Sequence, residues 1–114
     1  MMLIEAYVKT FKLDDIKEAL EELGVAGVTV TEVMQTTPPA AHGRSFGPPG
    51  VSSDLVPKMK IEVAIPDRLA ERVVEAICLH GSTGKREDGQ IVVERLDGAL
   101  RIRTGEADDD ALSY

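Results

Sequence analysis

The chain has 114 residues, of which 13 are basic and 20 are acidic, so its formal net charge at pH 7 is −7. This length suits one domain spanning residues 1–114 that gains stability from oligomerisation. The acidic balance argues against nucleic acid as the main partner, because neutralising phosphates requires a basic face. No apolar run approaches the roughly 18 residues of a membrane-spanning helix. Residues 1–12 lack the ordered regions of a secretory signal, so we expect a cytoplasmic protein.

The first half of the chain predicts two strands around one helix, followed by a long irregular segment. "LIEAYV" (3–8) is rich in β-formers and "VTVTEV" (28–33) is β-branched, so both predict strands. Between them a helix is expected to end at Gly24, with Asp15 and Glu18 at capping-box spacing. Its apolar face carries Ile16, Ala19, Leu20 and Leu23. The segment that follows holds five of the six prolines, and a loop this long is usually functional or disordered.

The second half predicts a strand, a helix and two further strands. Residues 58–65 alternate and predict a strand, and a helix follows with Asp67 as its N-cap and Gly81 as its stop. The single cysteine, Cys78, falls on the apolar side of this helix, so we expect a buried structural thiol in a reducing compartment. Residues 90–96 predict a strand, and 99–105 a short fifth one. The inward positions of the helix are Leu69, Val73, Ala76 and Ile77.

The order of these elements is β-α-β-β-α-β, which is typical of the ferredoxin-like α+β fold. Two helices then cover one face of an antiparallel sheet. We expect the other face to carry apolar positions of 3–8 and 58–65, which a monomer would expose. Self-association is the simplest cover for it, so we expect a homo-oligomer, either a trimer or a dimer.

The segment "HGSTGKREDGQ" (80–90) resembles a phosphate-binding loop but is not a Walker P-loop. Gly81 lies three residues before Gly84, and Lys85 is followed by Arg86 rather than Ser or Thr. The order is also reversed, because a helix precedes the segment and a strand follows it. Phosphate binding of another kind stays open, since Gly84 and Gly89 make backbone N–H groups accessible.

Arg101 and Arg103 are two residues apart, so an extended segment would present both side chains on one face. Two neighbouring guanidinium groups suit phosphate or carboxylate ligands. Surface ion pairs with the chain's many carboxylates are the alternative. We find no pattern for catalysis, because His42 and His80 are isolated and no serine lies in a nucleophile elbow. The acidic end, 106–110, is interpreted as a solvated tail rather than a metal site.

With these residues in place, the whole chain resembles the PII signal-transduction proteins, in a divergent branch. The resemblance lies in "FKLDDIKEAL", "GVTVTEV", "LVPKMKIEV", "STGK" followed by "DG", and "RIRTGE". It implies a T-loop at about 35–57, a B-loop at 82–90 and a C-loop at 99–106. It also implies a trimer that binds ADP, AMP or ATP in clefts between subunits.

The resemblance further implies which residues hold each ligand. Thr29, Glu62 and Ala64 occupy the positions that contact adenosine. Lys58 occupies the position that binds 2-oxoglutarate. The phosphate-binding positions are Thr83, Gly84, Lys85, Asp88, Gly89, Gln90, Arg101 and Arg103.

Departures from the family pattern concentrate at the phosphates and in the T-loop. Glu87 replaces a glycine, Gln90 replaces a phosphate-binding lysine, and Pro39 replaces the glutamine that holds Mg²⁺ and 2-oxoglutarate. We therefore expect ADP or AMP to bind at least as tightly as ATP, because attraction scales with ligand charge. Bicarbonate is a candidate second ligand near Lys58. Val51 replaces the modified tyrosine of many members.

The T-loop is expected to be mobile without a ligand, because its composition cannot repay the entropy of ordering it. Its role would be docking to a membrane transporter or an enzyme, with Arg44 and Phe46 as anchors. Three alternatives stay open. They are an ordinary nitrogen sensor of ATP and 2-oxoglutarate, a metal-tolerance trimer of the same fold, and a weak ATPase.

Overall fold

A computed structural model of the protein describes residues 1–25, 27–36 and 55–113. The expectations for Pro39, Arg44, Phe46 and Val51, and for the mobility of the T-loop, lie outside these residues.

The described residues form four strands and two α-helices. β1 spans Met2–Val8, β2 Thr29–Thr36, β3 Leu55–Ile65 and β4 Gly89–Arg95. Helix α1 spans Leu13–Glu22 and α2 spans Asp67–Gly81, and short 3₁₀ turns lie at Thr10–Lys12, Arg86–Asp88 and Asp108–Ala111. The strands form one sheet in the order β2-β3-β1-β4 with every neighbouring pair antiparallel. The predicted ferredoxin-like fold is confirmed.

The core lies between the helices and one face of the sheet. Strict alternation in β1 and β3 places every second residue on this face, where Ile4 and Ile61 are fully buried. The helices contribute residues three and four positions apart, which share one helical face. The remaining core members include Ala6, Val8, Ile16, Leu20, Val63, Ile65, Val73 and Ile77. Leu23 and Leu69 pack against this core partly buried, as predicted, whereas Ala76 is half-buried outside it.

Cys78 is exposed, so the prediction of a buried thiol is wrong. The preceding residue, Ile77, is the one that enters the core. Successive helical residues are turned by about 100°, so the side chain after an inward residue points away from the core.

The helix starts also differ from the predicted ones. A 3₁₀ turn leads into α1, whose N-cap is Lys12 without a side-chain cap, so the capping box of Asp15 and Glu18 is wrong. Asp15 lies inside the first turn, where a carboxylate still favours the helix dipole. Pro66 has the extended backbone of the α2 N-cap, and Asp67 is the first helical residue. Gly24 has φ +79, the left-handed conformation that ends a helix.

Residues 99–105 do not form the predicted fifth strand. A single antiparallel bridge joins Leu100 to Ala107, and the N–H of Gly105 donates to the carbonyl of Arg101 at 2.8 Å. This bond closes a turn with Gly105 at φ +74, a conformation that glycine adopts without steric cost. The segment therefore bends back instead of extending.

The open face of the sheet, away from the helices, is charged at its centre. Cross-strand pairing places Glu5 opposite Glu62 and Tyr7 opposite Lys60. The Lys60 Nζ lies 3.2 Å from Glu62 Oε1 and 4.0 Å from Glu5 Oε2. The hydrogen bond to Glu62 raises the pKa of Lys60. The prediction of an apolar open face is thus only partly right, because the larger apolar residues of β1 and β3 face the helices.

Within the described residues, neither α-helix is long and apolar enough to cross a membrane.

Candidate functional site

The loop between α2 and β4 is organised by the carboxylate of Asp88. Asp88 Oδ2 accepts hydrogen bonds from the backbone N–H groups of Thr83, Gly84 and Lys85 at 2.7, 2.9 and 3.2 Å. Asp88 Oδ1 accepts from the Thr83 hydroxyl and lies 3.3 Å from the Lys9 ammonium. The Thr83 hydroxyl, the backbone donors and Lys9 hold the pKa of Asp88 well below its usual range. The backbone N–H groups of the loop therefore bind the carboxylate of Asp88, a residue of the same loop.

This closure corrects one expectation for the B-loop. We expected glycine to make backbone N–H groups accessible to phosphate, yet the N–H of Gly84 and those of its two neighbours donate to Asp88. The frame predicted at Thr83, Gly84 and Asp88 is present as a folded loop. Its cationic side chains, Lys85 and Arg86, are exposed beside it.

Lys58 is the buried charged residue among the described side chains, with 3% of its surface exposed. Its ammonium donates to the backbone carbonyl of Glu87, which is a neutral acceptor. No ion pair joins it to a carboxylate within the described ranges. Burial, and then the nearby Lys9, lower the pKa of Lys58, and Glu87 and Asp88 oppose this. A buried cation without a paired anion favours binding of one.

A cavity of about 200 Å³ lies beside Lys58. Lys58 and Arg86 contribute positive charge to its lining, and Thr36 and two amides contribute hydrogen-bonding groups; the amides are those of Gln35 and Gln90. Glu87 also lines it and adds a carboxylate. The arrangement suits a small anion of low charge.

Two of these lining residues, Gln35 and Thr36, were not predicted as site residues. We placed them in the T-loop, whereas β2 continues to Thr36 and β3 already begins at Leu55. Gln35 follows Val33 on the open face, because alternate residues of a strand share a face. Extending that alternation beyond residue 33 would have found it.

Three predicted adenosine contacts come together on the open face. Thr29 is the cross-strand partner of Glu62, and Ala64 lies two residues further along the same face of β3. Lys58 shares that face but lies four residues from Glu62, about 13 Å along an extended strand. The described chain therefore holds two separate groups of predicted site residues on one sheet face.

Arg101 is bound by the C-terminal end of its own chain. Its Nη2 donates to the backbone carbonyls of Asp110, at 2.9 Å, and of Ser113. Its Nε lies 3.5 Å from a Glu106 oxygen, yet this buried atom has no hydrogen-bond acceptor. Arg103 is exposed. The expectation that both arginines leave one face of an extended segment is wrong, because both lie in the turn of residues 101–105, which the bond from the Gly105 N–H to the Arg101 carbonyl closes.

The B-loop and the C-loop leave β4 from opposite ends. Residues 82–88 precede Gly89, which pairs with Val8, and the C-loop follows Arg95, which pairs with Met2. β4 has seven residues, so its ends are about 20 Å apart. No hydrogen bond or ion pair of the described residues joins Arg101 or Arg103 to the 83–89 loop.

No group of three or more His, Cys, Asp or Glu side chains within residues 1–25, 27–36 and 55–113 is placed to hold a metal ion. The exposed carboxylates of Asp109 and Asp110 lie in the tail without such partners.

Comparison with known proteins agrees with this fold. The family model of the nitrogen regulatory protein P-II matches residues 1–106. Proteins of that name from Haemophilus influenzae and Rhodospirillum rubrum are 42% and 45% identical to the chain over 112 residues, covering 98% of it and all of each relative. The crystal structure of Arabidopsis thaliana PII bound to citrate superimposes with a TM-score of 0.81 at 26% identity, covering 99% of this chain and 90% of that one. The chain belongs to the nitrogen regulatory protein P-II family.

Proposed function

We propose that this protein is a trimeric regulator that binds adenine nucleotide in clefts between subunits. The position of the two basic loops supports this proposal. They leave β4 from opposite ends. A cleft lined by both loops would therefore contain the B-loop of one copy and the C-loop of a second copy. Thr29, Glu62 and Ala64 on the open sheet face would hold the adenosine, and Arg101 and Arg103 would hold the phosphates.

The nucleotide we propose is ADP or AMP in preference to ATP. Three N–H groups of the B-loop already donate to Asp88, and Gln90 supplies a neutral donor where a lysine would supply charge. A neutral hydrogen bond is about half as strong as a charge-assisted one. Glu87 adds an anion beside the same cavity, and Arg86 offsets part of it. Each further phosphate charge is therefore less well compensated.

The second ligand we propose is a small anion bound at Lys58. The buried ammonium has a carbonyl partner and no paired carboxylate among the described residues, and the cavity beside it measures about 200 Å³. The Arabidopsis thaliana relative has been crystallised with citrate, which is also a carboxylate ligand. Bicarbonate fits the limited positive charge of the site better than a dicarboxylate does, because Glu87 lines it. Regulation of a transporter or an enzyme would then proceed through residues 35–57, with Arg44 and Phe46 as anchors.

Calorimetric titration with AMP, ADP and ATP tests the proposal. We expect ADP or AMP to bind at least as tightly as ATP, and 2-oxoglutarate not to raise ATP affinity. Arg101→Ala and Arg103→Ala are each expected to weaken ADP binding by about 1.5–3 kcal/mol, the contribution of a hydrogen bond to a charged group. The double reversion Glu87→Gly with Gln90→Lys is expected to shift the preference toward ATP. Bicarbonate, added in a second series, is expected to release heat with the parent and not with Lys58→Met.

Two results would contradict the proposal in different ways. If neither arginine variant changes ADP affinity, the arginines are surface ion-pair residues. If the parent prefers ATP tenfold, with Mg²⁺ and 2-oxoglutarate cooperating, the protein is an ordinary nitrogen sensor.

Lys60→Met is the matched control for Lys58→Met, because Lys60 lies on the same strand and face but is already paired with Glu62.

A further inference from the structure

The last residues of the described chain accept hydrogen bonds from the guanidinium of Arg101. Its Nη2 donates to the carbonyls of Asp110 and Ser113 and lies 3.4 Å from the Ser113 hydroxyl. Three acceptors therefore surround one nitrogen of the side chain. Arg101 is half-buried by this segment, whereas Arg103 is exposed.

The segment is held in place by a defined anchor at Asp108. The Asp108 N–H donates to the carbonyl of Ala99 at 2.8 Å, and its carboxylate lies 3.4 Å from the Ala99 nitrogen. Asp108 has φ 55, the one positive φ of a non-glycine residue in the described chain. That conformation is unfavourable for most residues and tolerated by Asp and Asn. It redirects the chain into the 3₁₀ turn that carries Asp110 and Ser113 to Arg101.

We propose that residues 107–113 compete with the nucleotide phosphates for Arg101, so that the nucleotide binds after this segment has been displaced. This inference rests on the proposed function, in which Arg101 is a phosphate ligand. The carbonyls of Asp110 and Ser113 use the Nη2 hydrogens that a bidentate phosphate contact requires. The carboxylates of Glu106, Asp109 and Asp110 add repulsion toward an anion. Arg103 stays exposed and makes the first contact with the incoming phosphate.

The test separates release of the segment from loss of charge by two substitutions at one position. Asp108→Pro removes the N–H that binds Ala99, and proline cannot adopt a positive φ. Asp108→Asn removes the same negative charge but keeps the N–H, a side-chain acceptor and the tolerance for this φ. We expect Asp108→Pro to bind ADP about three- to ten-fold more tightly than Asp108→Asn, because a docked segment reduces the binding-competent fraction to about 0.1–0.3.

Two further measurements complete the experiment: adenosine binding and amide hydrogen exchange. Adenosine has no phosphate, so both variants are expected to bind it equally. Amide exchange of peptides covering 106–113 is expected to rise in Asp108→Pro, and to rise in the parent when ADP is added. A chain truncated after Ala107 is expected to match Asp108→Pro, which keeps the test valid if the proline variant does not fold.

Each remaining outcome has a separate meaning. Equal ADP affinity of the proline and asparagine variants, with faster exchange in the first, overturns the competition while the proposed function stands. A parallel gain for adenosine overturns it as well, since the effect would then not act through phosphate. Failure of the parent and both variants to bind ADP removes the proposed function and this inference together.

Discussion

At Gly89 the backbone passes directly over β1. An added Cβ would lie 1.7 Å from the carbonyl oxygen of Tyr7, and Gly89 has φ +116 with ψ −165. This combination belongs to a region that is essentially restricted to glycine. Gly89 is also the first residue of β4, so the close approach sets where the strand joins β1. A side chain here would displace the B-loop from the sheet.

We expect Gly89→Ala to lower the free energy of unfolding by about 2–4 kcal/mol, from backbone strain and steric overlap together. Urea denaturation at fixed protein concentration measures this. Gly84→Ala is the matched control: Gly84 has φ +80, but nothing lies within 4 Å of its added Cβ. It should cost about 1 kcal/mol from the positive φ alone. Equal losses in the two variants would show that the contact with Tyr7 is unimportant.

At the scale of an element, the 82–88 loop depends on the Asp88 carboxylate, which accepts hydrogen bonds that backbone carbonyls accept within a helix or a sheet. Thr83, Gly84 and Lys85 have no strand or helix to bond with, and Asp88 accepts all three N–H groups. Its pKa is lowered, first by the Thr83 hydroxyl, so ionised Asp88 stabilises the loop. A depressed pKa contributes stability above the unfolded Asp pKa of about 3.9, and this is lost as pH falls toward the folded value.

We expect Asp88→Asn to speed amide hydrogen exchange at Thr83, Gly84 and Lys85 at neutral pH. The neutral amide offers a weaker acceptor and no charged partner for the Lys9 ammonium. In the parent, protection of these amides should hold from neutral pH down to about pH 4 and decline below it. Glu87→Gln removes the same charge one residue away and should leave the protection unchanged. Unaltered exchange in Asp88→Asn would show that the loop is held by other contacts.

At the scale of the whole molecule, one chain leaves apolar side chains on its surface. On the open face and beyond it, Val92 is 44% exposed, Leu100 69% and Ile102 fully exposed. Exposed apolar residues favour association with further copies of the chain. Association would also bring the B-loop of one copy near the C-loop of another, since the two loops lie at opposite ends of β4.

We expect a trimer with a mass of about 37 kDa, three times the 12.3 kDa chain, by light scattering at micromolar concentration. Val92→Glu should shift the population toward monomer, because it places a charge on the open face. Leu79→Glu is the control, since Leu79 is 75% exposed on α2 and lies away from that face. A parent that scatters as a monomer would remove the interface and the proposed cleft together.

The sequence by itself determined the order of the four strands and two α-helices, most of the helical core positions, and the family. Ile16, Leu20 and Ile77 reached the core as their spacing predicted, because periodicity is set within an element by backbone geometry. The grouping of Thr29, Glu62 and Ala64 was also predictable, from the resemblance to the family rather than from spacing.

Only the tertiary structure decided which groups satisfy one another. Nothing local indicates that Lys58 donates to Glu87 or that Ser113 reaches Arg101. Cys78 was mispredicted because its helix is amphipathic but the exact orientation of the face depends on packing against the sheet. Hydrogen bonds between residues far apart in sequence depend on the distances that folding creates. A pattern in the chain carries no measure of those distances.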